Sequence, residues 1–212
     1  MKIKAILFDM DGVLIEAKEW HYAALNKALA LFGMSISRYD HISTYDGLPT
    51  KAKLKMLSIE RGLPVQLHAF IDKMKQLYTM EIVHSECKPR FVHEYALSRL
   101  KADGYKLAVC SNSIRNTVEV MMDKAALRQY LDLLISNQDV TKGKPDPEMY
   151  IKAMDKIGLA PQECLIVEDN QNGIKAAKAS GAHLLVVQDV NDTNYSNIIN
   201  KIASIEGAAD VN

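Results

Sequence analysis

KAILFDMDGVL, residues 4–14, runs a short apolar stretch, Ala5 to Phe8, straight into Asp9, Met10, Asp11 and Gly12. A short apolar run bounded by turn-forming residues reads as a strand covered on both faces. Carboxylates at the end of such a strand are costly to bury unless cations, hydrogen-bond donors or solvent meet them. The rest of the sequence therefore has to bring those partners to the same spot. Residues i and i+2 share one face of a strand, so both carboxylates can address one cleft. One can serve as a nucleophile toward phosphorus while the other handles protons. An Asp- and Gly-rich turn after a strand has the same composition, so this stretch alone leaves the choice open.

Working outward, similar apolar runs recur at residues 107–110, 131–135, 164–167 and 184–187. Helical patterns separate them, at 90–101, 115–125, 147–156 and 173–180. Strands alternating with helices predict an α/β fold with a parallel sheet. The alternation breaks once, between the first run and the second. There the sequence reads as helices at 18–32, 50–60 and 65–83; in Trp20, Ala23, Ala24, Lys27, Ala28 and Leu31 the apolar positions recur at helical spacing. Structureless loops of that length are rare, so a helical insertion is the economical reading. The expected division is a core of residues 1–14 plus 88–212 and a helical cap of residues 15–87.

In open α/β sheets, ligands bind at the carboxyl ends of the strands. After the second run stands "CSNS", where the Ser111 hydroxyl and the main-chain amides of Asn112 and Ser113 precede a helix and can meet a phosphate oxygen. Helix capping by a serine is the plain alternative. After the third run, "TKGKPDPEMY" places Lys144 between a glycine and a proline, in a segment that cannot continue a helix. That lysine either neutralises clustered carboxylates or is simply solvated. After the fourth run, "LIVEDNQNG" puts Glu168 and Asp169 at a strand end, as donors for a hard cation or as acids favouring a helix N-terminus. Asp9, Asp11, Glu168 and Asp169 against Lys144 leave a surplus of negative charge that a divalent cation would offset.

The composition narrows the partners. With 26 basic and 26 acidic side chains the formal net charge is zero, which gives no electrostatic case for nucleic acid or an anionic membrane. No apolar run approaches the roughly 18 residues of a membrane span, and the N-terminus lacks the layout of a signal peptide. Cys87, Cys110 and Cys164 are scattered and odd in number, as expected of reduced thiols in a cytoplasm. Neutral charge and no heptad seam leave a monomer as the expectation.

Taken together, "DMDGV" (Asp9, Asp11), "SNS" (Ser111), "GKPDPE" (Lys144) and "VEDN" (Glu168, Asp169), followed by "GIKAAKASGA", resemble the haloacid dehalogenase-like superfamily over essentially the whole chain. The resemblance implies a Rossmann-like parallel sheet with an α-helical cap inserted after the first strand. It implies Asp9 as the nucleophile that becomes an aspartyl-phosphate and Asp11 as the general acid and then base. Ser111, Asn112 through its amide, and Lys144 would hold the transferring phosphoryl group. Mg²⁺ would be held by Asp9, the main-chain carbonyl of Asp11 and Asp169, with Glu168 in support. Dehalogenating members lack the second aspartate of the first motif, and Asp11 is present here.

Within the superfamily the chain is similar to small-capped phosphatases and β-phosphoglucomutases. His21 and Gly47 fall at mutase-like positions, but the mutases' lysine, arginine and threonine are replaced here by Asp46, Thr50 and Ala17. Lys51 and Lys53 read as solvated helix lysines. The expected function is a Mg²⁺-dependent phosphatase of a small phosphorylated metabolite, with His21, Gly47 and Thr50 as candidate cap contacts. A phosphosugar mutase is the alternative. A non-catalytic binding module is a third reading, opposed by the intact set of Asp9, Asp11, Ser111, Lys144 and Asp169.

Overall fold

The computed structural model describes residues 2–45 and 47–209, so the Asp46 position lies outside the described residues. Five strands form one parallel sheet: β1 (Ala5–Phe8), β2 (Lys106–Cys110), β3 (Leu133–Ile135), β4 (Cys164–Glu168) and β5 (His183–Val186). Their spatial order is β3-β2-β1-β4-β5, which puts β1 at the centre. Phe8 pairs with Val109 of β2 on one side and with Val167 of β4 on the other. Every residue of β1 and β4 is buried, which is why both read as unbroken apolar runs rather than alternating ones.

The helices are α1 (Lys18–Ala30), α2 (Arg38–Asp40), α3 (Thr50–Arg61), α4 (His68–Glu86), α5 (Phe91–Ala102), α6 (Arg115–Lys124), α7 (Glu148–Ile157), α8 (Gln171–Ser180) and α9 (Tyr195–Ala209). A π-helical turn, His41–Tyr45, follows α2. The chain separates into two compact units, one running up to Glu16 and resuming at Lys88, the other spanning Ala17–Cys87.

In the first unit, Met149, Tyr150, Ala153 and Met154 of α7 and Ala176 and Ala177 of α8 pack on Leu7, Ala108, Cys110 and Ile166 of the sheet. Cys110 and Cys164 fill this core; burial pushes the Cys110 thiol up to about 12, so it is a packing residue and not a nucleophile. In the second unit, Leu25, Ala28, Leu29, Leu54, Leu57 and Ile71 form a separate core. The buried face of α1 is Ala24, Leu25, Ala28 and Leu29, whereas Ala23, Lys27 and Leu31 face solvent. Of the positions noted at helical spacing, Ala24 and Ala28 therefore lie on the buried face and Ala23, Lys27 and Leu31 do not. Alanine carries so little apolar area that alanines on both faces blur the helical period. Lys53 is also not a solvated lysine: it is 8 % exposed, while Lys51 is exposed as expected.

The loop after β3 is tied down by Asp139. Its carboxylate accepts from the Ser136 amide (2.8 Å) and hydroxyl (2.6 Å) and pairs with Arg115 at 2.5 Å. Burial pushes the Asp139 carboxyl up, but Ser136 and Arg115 outweigh it and hold it at about 2. Its folded value lies below the unfolded one, so the stability it contributes is present above about pH 4 and is lost as pH falls toward about 2. Asp139→Asn is expected to cost on the order of 1–2 kcal/mol near neutral pH. Urea unfolding of both proteins should show that gap shrinking at about pH 3; a gap independent of pH would contradict the assignment.

Candidate active site

The sheet's register sets the site. Asp9 leaves the end of β1 with its amide bonded to the Val167 carbonyl at 3.0 Å, so it lies level with Glu168, the last residue of β4. Gly12 then turns the chain at φ +92°, a conformation that favours glycine, and the amides of Leu14 and Ile15 return to the Met10 carbonyl. On the other side of β1, Ser111 follows β2 with its amide bonded to the Ile135 carbonyl at 2.9 Å.

Lys144 reaches this cluster from the loop before α7. Its ammonium lies 2.6 Å from Asp9 Oδ1 and 2.7 Å from Glu168 Oε1, and it is 3 % exposed. The Tyr150 hydroxyl donates to the same Glu168 Oε1 at 2.7 Å, and the Lys144 ammonium sits 4.7 Å from the centre of the Tyr150 ring. Glu168 Oε2 accepts from the Asp169 amide at 3.1 Å and from the Asn170 side chain at 3.4 Å. Glu168 thus has protein donors on both oxygens, Lys144 among them. It has room because residue 173 is glycine: a Cβ there would lie 1.7 Å from Glu168 Oε1. Asn170 caps α8, accepting from the amides of Asn172 and Gly173 at 3.1 and 3.0 Å.

The proposed phosphate-binding residues are placed differently from one another. The Ser111 hydroxyl is 1 % exposed and accepts the Ser113 amide at 3.0 Å, so that amide is engaged within the turn. The Ser113 hydroxyl points to Asp11 Oδ2 at 3.4 Å. The Asn112 side chain bonds the Lys144 main chain at both of its ends. The remaining candidates belong to the helical unit. His21 Nδ1 is 3.2 Å from the Lys75 ammonium, Gly47 turns at φ +69°, and Thr50 begins α3.

Oxygens of Asp9, Glu168 and Asp169 lie within 4.8 Å of one another. An all-carboxylate set is a hard-oxygen donor group of the kind Mg²⁺ prefers. Burial raises Asp9 well above the usual carboxylate range; Lys144 opposes that, and Glu168, Asp169 and Asp11 add to it. Residues of this character fit a divalent cation, which would offset the negative charge that Lys144 alone leaves over.

Sequence reasoning missed Tyr150 and Lys75. A tyrosine on the buried face of α7 was the available signal, since a buried hydroxyl needs a partner. The Lys75 partner of His21 lies 54 positions away on another helix and left no local mark.

Known proteins resemble this chain over most of its length. A family model of haloacid dehalogenase-like hydrolases matches residues 6–187. A phosphorylated carbohydrates phosphatase of Thermotoga maritima is 27 % identical over 201 residues, covering 90 % of this chain and 88 % of its own. A phosphoglycolate phosphatase of Aquifex aeolicus is 29 % identical over 179 residues, covering 84 % and 82 %. Among solved structures, a β-phosphoglucomutase from Clostridium difficile superposes with a TM-score of 0.82 at 20 % identity, covering 97 % of this chain and 99 % of that one. The parallel sheet, the order of its strands and the family match lead to one conclusion: this chain belongs to the haloacid dehalogenase-like hydrolases.

Proposed function

We propose that the protein is a Mg²⁺-dependent phosphatase of a small phosphate monoester. The observation that carries this reading is the Lys144 ammonium held 2.6 Å from Asp9 Oδ1 at the edge of a converging carboxylate group. A carboxylate fixed against an ammonium is positioned to attack phosphorus, and the same cation meets negative charge on the phosphoryl oxygens. In the first step a carboxylate oxygen of Asp9 bonds to phosphorus and the ester P–O bond breaks. Asp11, the residue the family resemblance assigns to protons, gives a proton to the departing alkoxide. In the second step Asp11 takes a proton from water as the water oxygen bonds to phosphorus. The bond from Asp9 to phosphorus breaks, and Asp9 returns to a carboxylate as phosphate leaves. The Ser111 hydroxyl holds a phosphoryl oxygen. Asp9, Asp169 and the main-chain carbonyl of Asp11 would hold Mg²⁺, which when bound supplies the positive charge that lets an anionic carboxylate meet an anionic phosphate.

The helical unit is assigned the choice of substrate, with His21, Lys75, Gly47 and Thr50 as candidate contacts. The reading includes a cytoplasmic monomer; the three cysteines are free, and no helix among the described residues is long and apolar enough to cross a membrane. Threonine at position 50, where the resemblance expects the mutases' arginine, favours hydrolysis over a phosphosugar mutase. Phosphate release from a panel of sugar, nucleotide and small-acid phosphates, with Mg²⁺ and with a chelator, tests the reading. Release that requires Mg²⁺ is expected. No release across the panel would contradict it, and isomerisation of a sugar phosphate with little release would replace it by the mutase.

A further inference from the structure

We infer that Asn112 is a positioning residue, whose side chain sets the place of Lys144 by clamping the lysine's main chain. Asn112 Oδ1 accepts the Lys144 amide at 3.0 Å, and Asn112 Nδ2 donates to the Lys144 carbonyl at 3.1 Å. One carboxamide thus pairs with both main-chain groups of a single residue, as a neighbouring strand would. The clamp joins the segment after β2 to the segment before α7, whose nearest regular partners stop at Cys110 and Ile135. Lys144 is consequently held at two ends. Its ammonium is fixed by Asp9 and Glu168, and its main chain is fixed by Asn112.

A second observation supports the clamp independently. Residue 143 is glycine, and a Cβ there would lie 2.5 Å from Asn112 Oδ1. That oxygen belongs to a side chain held by hydrogen bonds at both ends, so it can move aside only by breaking the clamp. The chain is built to let this amide approach. The chemistry admits few replacements. Serine is too short to reach both groups, and aspartate keeps the acceptor but has no hydrogen to give the Lys144 carbonyl. The Asn112 side chain therefore acts through Lys144, and its main-chain amide takes no part in that task. This assignment rests on the phosphatase reading.

The test is steady-state kinetics with p-nitrophenyl phosphate and Mg²⁺, accompanied by thermal melts. Release by the unaltered protein checks the phosphatase reading separately from the clamp. Asn112→Ala is expected to lower kcat about 10- to 100-fold, as ångström-scale misplacement of a catalytic group does, with KM changed less than about twofold. Gly143→Ala is expected to lower kcat similarly by itself and to cost nothing further in the Asn112→Ala background, because the obstructing oxygen has gone. If Asn112→Ala fails to give a cooperative melt, the isosteric Asn112→Asp replaces it, with the same expected loss in kcat. A large rise in KM at unchanged kcat would overturn the inference, since it would mean direct contact with substrate. Retention of kcat within about twofold, or multiplication of the Asn112 and Gly143 losses in the double variant, would overturn it as well.

Discussion

Asp9→Asn is expected to lower turnover by at least about 10⁴-fold while the protein remains folded. A carboxamide oxygen is a poor nucleophile, so the bond to phosphorus does not form. The size of the side chain is unchanged, and its oxygen still accepts from Lys144, 2.6 Å away in the unaltered protein. The substitution also removes one negative charge from a buried group that contains Glu168 and Asp169. Burial and those neighbours already disfavour ionised Asp9, so the melting temperature should stay the same or rise. Phosphate release and a thermal melt on the same preparation check both halves. Near-normal release would remove Asp9 from the chemistry, whereas a collapsed melt would show that its charge holds the fold.

Lys144→Met is expected to damage both turnover and stability. Methionine keeps much of the side chain's length but loses the ammonium, leaving Asp9 and Glu168 buried with no cation from this loop beside them. Removing one partner of a buried ionic group costs about 3–5 kcal/mol, because the other charges stay behind. Turnover should fall by at least about 10²- to 10³-fold, the loss typical when charge that stabilises a transition state is removed. The pH dependence has a definite sign. Burial already raises Asp9, and losing Lys144 removes the charge that opposes this. The variant's folded state then holds a proton that the unfolded chain releases, so its stability falls as pH rises above the ordinary carboxylate range. Urea unfolding in chelator should show a larger deficit near neutral pH than near pH 5, taken as approximate working values. An equal deficit at both would mean that packing, and not charge, is what Lys144 supplies.

The parts of this site differed greatly in how plainly the sequence marked them. Asp9 and Glu168 follow or end fully buried strands, and such strands are conspicuous as short apolar runs with abrupt polar ends. The α/β class and the parallel sheet followed from the same runs. Lys144 was ambiguous when read alone, since most loop lysines are solvated; its burial depends on carboxylates 135 and 24 positions away. Lys53 was misread too: it is buried in α3 where a helix lysine is ordinarily solvated. Helix α1 was recognised, but its noted positions mix buried Ala24 and Ala28 with exposed Ala23 and Lys27, because alanine does not distinguish inside from outside strongly. Tyr150 was marked only by its place on α7, and the Asn112 clamp by nothing: each depends on an atom-to-atom contact between distant segments that no periodicity encodes. Residue types and spacings marked the side chains that the sheet brings together, while the supporting hydrogen bonds needed three-dimensional placement.

The nucleophilic role proposed for Asp9 is open to direct capture. The protein is mixed with p-nitrophenyl phosphate and Mg²⁺, quenched within a single turnover, and treated with borohydride, which reduces an acyl-phosphate but not a free carboxylate. Peptide mass spectrometry then locates the reduced side chain. Reduction confined to Asp9, and absent when substrate is omitted, is the expected result. Reduction at another carboxylate, or none in a preparation that releases phosphate at full rate, would contradict an aspartyl-phosphate at Asp9.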